Sequence, residues 1–403
     1  MTWRELVEKI HGTPTQFVLA LAGGGSRAAA ELLEVPGASR SVLEVAIPYS
    51  SGAMSAFLGG PPDHACSGPT ARGLAMAAFL RARRYGLPDR PLAGISATAS
   101  LATDRPKRGP HRVHLAAQTE ATTVALSLEL QKGRRTRGEE ERVVTYLVLN
   151  LVAETCGLEQ GLPVDLLPGE QIEKSSTTAP QSWRDLLLGR VDVVREKGDR
   201  PCSFERPEGG AAPTGPSPLW PELAGAPGSD SRVIFPGAFN PLHAGHRRIM
   251  EVAQELLGLP AEPEISILNV DKPPLDYFEI GRRTAQFEPW RTVWLTRLPT
   301  FEEKSRQFPR ATFLVGVDTL RRIADPKYYG NDPAACIAAL ERIVARGCRF
   351  LVFGRLIGER FITLEHLHVP DVLRSVCRAV PETQFREDVS STQMRHESRL
   401  HDD

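Results

Sequence analysis

FPGAFNPLHAGH, residues 235–246, decides how the carboxy-terminal half of this chain is read. Phe235 ends a short apolar run, Gly237 permits a tight turn, and Asn240-Pro241 aims the chain into a helix expected to begin around Gly245. His243 and His246 then stand at a helix amino terminus, where unpaired N–H groups and a partial positive charge favour an anion. A metal pair is disfavoured, because no third His, Cys or carboxylate follows at short spacing. A phosphate cradle suits the geometry better. Near the chain end VSSTQMR, residues 389–395, offers a second site of the same design. There Ser391 or Thr392 can cap a helical turn while Arg395 forks onto phosphate oxygens.

Working outward, RVIFPGAF, EISILNV, ATFLVGVD and CRFLVFGR are four β-rich runs alternating with helical stretches, the pattern of a mainly parallel sheet in crossover units. Residues 207–228, PEGGAAPTGPSPLWPELAGAPG, lack apolar periodicity and read as a linker. Upstream of it, QFVLALAGGGSRAAAELLEV reads as strand, glycine turn and helix, and SVLEVAIPYS and PLAGISATA add strand-like runs. RGEEERVVTYLVLNLVAE, residues 137–154, is acidic in its first turn and apolar at helical spacing, so it is expected to close the first domain. The expected organisation is a domain over 1–156, an extension and linker over 157–230, a second domain over 231–396, and a charged tail over 397–403. Both domains are of α/β class.

With 403 residues the chain has room for two cores, and 49 Lys plus Arg balance 49 Asp plus Glu. No global basic field would gather nucleic acid or an anionic membrane, so any anion site must be local. No run of about 18 apolar residues occurs, the expected marker of a spanning helix. The six cysteines form no CxxC pair and read as reduced, structural thiols, which points to the cytoplasm.

GAFNPLHAGH together with the distant SSTQMR closely resembles the HxGH nucleotidyltransferases, whose signatures are GxFxPxHxGH and a late SSTxxR. LVGVDTL, residues 314–320, resembles their GxDxL strand end, so the likeness spans about 231–395. The resemblance is to nicotinate and nicotinamide mononucleotide adenylyltransferases, which join a mononucleotide to the AMP part of ATP and release pyrophosphate. It implies a Rossmann-like fold, ATP and a phosphate-bearing small molecule as partners, and Mg²⁺. It also implies that His246 meets the α-phosphate and His243 the triphosphate, with Arg395, Ser390, Ser391 and Thr392 on the outer phosphates. Gly237, Ala238, Phe239, Asn240, Gly245, Gly316 and Asp318 would line the nucleotide site. For the acceptor, Lys272 either meets its phosphate or is a solvated loop lysine. Tyr328 and Tyr329 either stack on a ring, where relatives often carry tryptophan, or pack. A different acceptor, such as phosphopantetheine or a small alcohol phosphate with CTP, and a nucleotide-binding regulator without turnover are the competing readings.

The segments ALAGGGSRAAAELLEVPGAS, VAIPYSSGAMSAFLG and ARGLAMAAFLRAR resemble the carboxy-terminal domain of competence-damage-inducible proteins, the nicotinamide-mononucleotide amidohydrolase family, over about 1–155. Where that family reads SCTGG this chain has AGGGS, which puts Ala22 at the serine position. Where it reads YSNxxK the chain has YSSGAM, with Met54 at the lysine position, and SATASL (96–101) replaces TGIAGP. Ser26, Ser50 or Ser51 could substitute as nucleophile, but no amine stands ready to activate one. An inactive relative is therefore expected, serving as scaffold, as a homo-oligomer contact, or as a mononucleotide pocket on Gly23-Gly24-Gly25.

Overall fold

The computed structural model describes residues 1–104, 108–196 and 232–386. These form two compact units: one from Met1–Arg190 with Asp271–Ile280, the other from Val191–Val270 with the chain from Gly281 onward.

In the first unit α1 (Trp3–His11) opens on a capping box in which Thr2 and Glu5 satisfy each other's backbone. It is followed by β1 (Gln16–Ala22), α2 (Ser26–Glu34), β2 (Val42–Ala46), α3 (Ser51–Leu58), α4 (Gly68–Tyr85) and β3 (Leu92–Ser100). The hairpin strands β4 (His111–Thr119) and β5 (Thr122–Leu130), then α5 (Arg137–Thr155), β6 (Glu173–Thr178) and α6 (Gln181–Leu188), complete it. The sheet order is β2-β1-β3-β4-β5-β6, parallel across β2, β1 and β3 and antiparallel beyond. Every residue of β1 is buried, and its alternation divides the core. Phe17, Leu19 and Leu21 pack with α1, α2 and α5, whereas Val18, Ala20 and Ala22 pack with α3 and α4.

The sequence-based boundary at 156 needs correction. Residues 173–178 add the sixth strand, and α6 also belongs to this unit. EKSSTT is a polar, largely exposed edge strand, so it carries none of the apolar periodicity that marks an element. Residues 271–280 also return here from the other half of the chain. Buried Asp276 accepts from Arg72 Nε at 3.1 Å and caps the backbone N–H groups of Phe278 and Glu279 at 2.8 and 3.1 Å. Tyr277, fully buried, donates its N–H to Thr123 Oγ1 and its hydroxyl to the Glu120 carbonyl, and its ring lies beside Trp183.

The second unit starts with β7 (Val193–Glu196) and, beyond the linker segment 207–228, which lies outside the described residues, continues with β8 (Val233–Pro236), α7 (Ala244–Leu257) and β9 (Ala261–Ser266). The helix α8 (Tyr277–Thr284) precedes β10 (Val293–Thr296), α9 (Phe301–Gln307), β11 (Thr312–Gly316), α10 (Val317–Ile323), α11 (Pro333–Ala345) and β12 (Arg349–Phe353). A small hairpin of β13 (Arg355–Ile357) and β14 (Arg360–Ile362), then α12 (Asp371–Arg374) and β15 (Cys377–Ala379), end the described chain. The sheet order is β15-β12-β11-β8-β9-β10-β7, parallel throughout except for β7. Its core gathers Ile234, Phe313, Val315, Phe350 and Val352 under α10, α11 and α12.

From β8 the chain builds outward through β9 and β10, then returns to place β11 on the other side of β8. In such sheets the crevice beyond the carboxyl ends of the two strands at the switch is where ligands bind. Both glycine-bearing segments singled out in the sequence, 237–246 after β8 and 316–318 after β11, emerge there.

The threading of 271–280 makes a test. Asp276→Ala strips Arg72 of a buried partner and α8 of its cap, and should destabilise the first unit by about 3 kcal/mol. Urea unfolding followed at Trp3 and Trp183 of the first unit would report it.

Candidate functional site

After β8 the chain turns through residues 237–243 onto α7, whose first residue is Ala244, one earlier than expected, with His243 as the cap position. Gly237 is needed for a reason the sequence does not show: a Cβ there would lie 2.5 Å from the ring of Phe239. That ring is wholly buried, edge-on to Phe235 at 5.3 Å, Phe287 at 5.1 Å and His246 at 5.1 Å. Phe239 itself holds φ at 45°, the left-handed region, which a bulky residue occupies only when its surroundings enforce it. The Asn240-Pro241 bond is cis.

The two imidazoles stack, centroids 3.7 Å apart and planes tilted by 30°. The His243 N–H donates to His246 Nδ1 at 3.3 Å. An accepting Nδ1 carries no proton, so the remaining proton of neutral His246 sits on Nε2 and is available to donate. Burial, followed by the neighbouring His243, pushes His246 down to about 3, and burial also lowers His243. Both rings are therefore neutral donors at physiological pH. His243 Nδ1 is buried with no hydrogen-bond partner among the described residues.

Around the turn, Arg282 donates to Asn240 Oδ1 and Arg283 Nη1 to the Ala238 carbonyl at 3.2 Å. Gln286 bridges the Phe239 carbonyl and the Leu242 N–H. These three residues were not picked out from the sequence.

The other predicted residues divide. Gly245 is buried in the first turn of α7. Gly316 ends β11 as the cap of α10, and a Cβ added there would meet no atom within 4 Å, so the protein leaves that space open. Asp318, in the first turn of α10, pairs with Arg355 of β13. Tyr329 donates its hydroxyl to the Ile323 carbonyl at 2.9 Å and packs on the core, and burial pushes it up to about 12, which favours the packing alternative. The Tyr328 ring carries Lys327 at 5.4 Å. Lys272 belongs to the first unit, where 271–272 lie close against Gly59 and Gly60. Ser390, Ser391, Thr392 and Arg395 lie outside the described residues, as does the 397–403 tail.

Residues 234–397 match the family model described as Cytidylyltransferase-like. The carboxy-terminal half carries a nucleotidyltransferase-superfamily domain. No curated protein matches the chain. Among solved structures, the amino-terminal part is similar to the competence/damage inducible protein CihA from Agrobacterium tumefaciens, with 21% identity, 38% of this chain, 94% of that chain and a TM-score of 0.30. A competence-damaged protein (CinA) superfamily protein from Escherichia coli matches at 12% identity over 38% and 88% of the two chains, TM-score 0.29. A competence or damage-inducible protein from Enterobacter asburiae matches at 17% over 38% and 99%, TM-score 0.30.

At the two positions where the resemblance expects a serine and a lysine, the first unit has apolar packing. Ala22 and Met54 are 3% and 4% exposed and share one apolar cluster with Val18, Ala20, Leu58 and Leu74. Gly23 packs so tightly that a Cβ would lie 2.0 Å from the Ala99 carbonyl oxygen. At the start of α2, Glu141 Oε1 accepts from Ser26 Oγ at 3.1 Å and faces the Arg27 N–H at 3.5 Å. The chain thus places a carboxylate of its own at the start of α2. Ser50 caps α3, and the hydroxyls of Ser96 and Thr98 donate to the carbonyls of Ala71 and Ala65.

Four thiols, Cys156, Cys336, Cys348 and Cys377, are buried, and burial pushes Cys377 up to about 12, whereas Cys66 is half-buried. Cys202 lies outside the described residues. No helix among the described residues is long and apolar enough to cross a membrane.

His246 sets a pH dependence. With its pKa lowered from 6.5 to about 3, only the unfolded chain takes up this proton as pH falls between those values. Its contribution is therefore complete above pH 6.5 and is lost toward pH 3, at about 1.4 kcal/mol per pH unit. His246→Asn should flatten that part of the stability–pH curve, measured by urea unfolding at pH 7, 5.5 and 4.5.

Proposed function

We propose that the carboxy-terminal domain transfers an adenylyl group from MgATP to the phosphate of nicotinamide or nicotinate mononucleotide. A phosphate oxygen of the acceptor attacks the α-phosphorus, the α–β bridging bond breaks, and a dinucleotide and pyrophosphate result. The observation that carries this reading is the stacked, neutral histidine pair at the start of α7, beside the strand switch. A phosphate nucleophile is largely ionised at neutral pH, because its second pKa is near 6, so no general base is required. What remains is in-line positioning and stabilisation of charge on phosphate oxygens. In this reading His246 donates from Nε2 to the α-phosphate, His243 to the triphosphate, and the N–H groups of Ala238 and Phe239 assist. Ser390, Ser391, Thr392 and Arg395 hold the outer phosphates. Neutral imidazoles suit the task, since they can donate to phosphate oxygens without giving up a proton. Mg²⁺ arrives with the nucleotide, bound by phosphate oxygens and water. The open space at Gly316 supports a nucleotide lying against the end of β11.

CTP with a small phosphate acceptor is the second reading, favoured by the family description of the matched domain. We assign the activity to the cytosol, without nucleic acid or membrane as partner. The first unit is assigned no amide hydrolysis, on the strength of Ala22 and Met54 in an apolar cluster.

The full chain with Mg²⁺, ATP or CTP, and a panel of phosphate acceptors should release pyrophosphate only with a matching acceptor, the product being identified by mass. His246→Ala should lower kcat by about 10²-fold or more. Nucleotide binding without pyrophosphate from any acceptor would instead mark a regulatory binder. Ammonia released from nicotinamide mononucleotide by the full chain carrying His246→Ala would overturn the assignment of the first unit. A fragment ending near 160 would not serve, because it lacks β6, α6 and 271–280.

A further inference from the structure

Gln286, just beyond α8, holds the histidine loop from both ends. Its Nε2 donates to the Phe239 carbonyl at 2.9 Å and its Oε1 accepts from the Leu242 N–H at 2.8 Å. A carboxamide can do both because it carries a donor and an acceptor side by side. The bracketed residues, 239–242, include the left-handed Phe239 and lead directly into His243. Left-handed backbone at such a residue costs about 1–3 kcal/mol and needs outside support. Part of that support is the aromatic packing around the Phe239 ring, which fixes the side chain. The peptide groups on either side of Asn240-Pro241 are fixed by Gln286.

We infer that Gln286 is a positioning residue for nucleotidyl transfer: its carboxamide sets the 239–242 turn so that the His243 N–H meets His246 Nδ1 and both rings address one anion. This rests on the transferase reading. The side chain touches no reacting atom. It acts by setting the angle at which the chain enters α7, and through that the pairing of the two imidazoles. A loop free to relax at Phe239 would keep the histidines but lose the fixed tautomer of His246.

The test uses the full chain. Gln286→Met keeps the volume and removes both bonds, whereas Gln286→Glu keeps the acceptor for the Leu242 N–H and loses the donor. Expected for Gln286→Met is a fall in kcat of about 10- to 100-fold, as a displacement near 1 Å produces, with KM for MgATP changed less than about threefold. Nitrogen-15 NMR of the histidine rings should show His246 held with its proton on Nε2 in the native chain and in tautomeric exchange in Gln286→Met. Gln286→Glu should lie between the two on both readouts. Unchanged kcat and ring signals in Gln286→Met would overturn the inference, as would a fall in kcat with the tautomer intact. Should the native chain release no pyrophosphate with any acceptor, the transferase reading fails by itself. The positioning of the pair is then still decided by the ring signals, which move if Gln286 sets it and stay if it does not.

Discussion

The pairing of β8 with β11 on one side and β9 on the other is what the carboxy-terminal site hangs from. Thr312 and Phe313 stand beside Val233 and Ile234, while Val233 to Pro236 run beside Ala261 to Glu264. Because β8 is interior, it cannot slide without breaking two ladders, and its carboxyl end is held where the chain reverses its building direction. The Gly237 N–H bonds the Glu264 carbonyl at 2.9 Å, so the first residue of the loop is still tied to the sheet. Everything from Phe239 to His246 is therefore delivered from a rigid edge, as a site that works by positioning requires.

Burial then does to the histidines what exposure would not. Packed against Phe239 and Phe235, His246 loses the water that would support its charge, and its neighbour opposes a second positive ring. The pair becomes two neutral donors with a settled direction instead of a cluster of cations. The aromatic cage that enforces an awkward backbone at Phe239 thus also sets the electrostatics of the site.

Much of this was legible in the sequence, and the reasons are local. Phe235 to His246 carry a turn residue, a helix start and two side chains with few other uses, all within twelve positions. The parallel strands announced themselves as short β-branched runs. What stayed hidden depended on distant partners. Gln286 looks like any helix-end glutamine until the fold brings Phe239 and Leu242 to it. Gly237 was read as a turn glycine, whereas the Phe239 ring is what excludes a side chain. β6 was missed because an edge strand facing water has no apolar face to betray it. The partner of Ser26 at the start of α2 stayed hidden as well, because Glu141 lies more than a hundred residues away.

Residues 271–280 add a consequence for how the chain is made. A ribosome delivers residues in order, and domains generally fold as units once their last segment is out. Here the first unit takes its final piece, with Asp276 for Arg72 and Tyr277 for Thr123, from beyond Val270. Its strands and helices can assemble as soon as Arg190 has emerged, but Arg72 must wait for its partner until the intervening strands β8 and β9 have been synthesised. The first unit is begun early and finished late. A chain cut short after the linker would lack Asp276 and Tyr277 and present an unfinished unit.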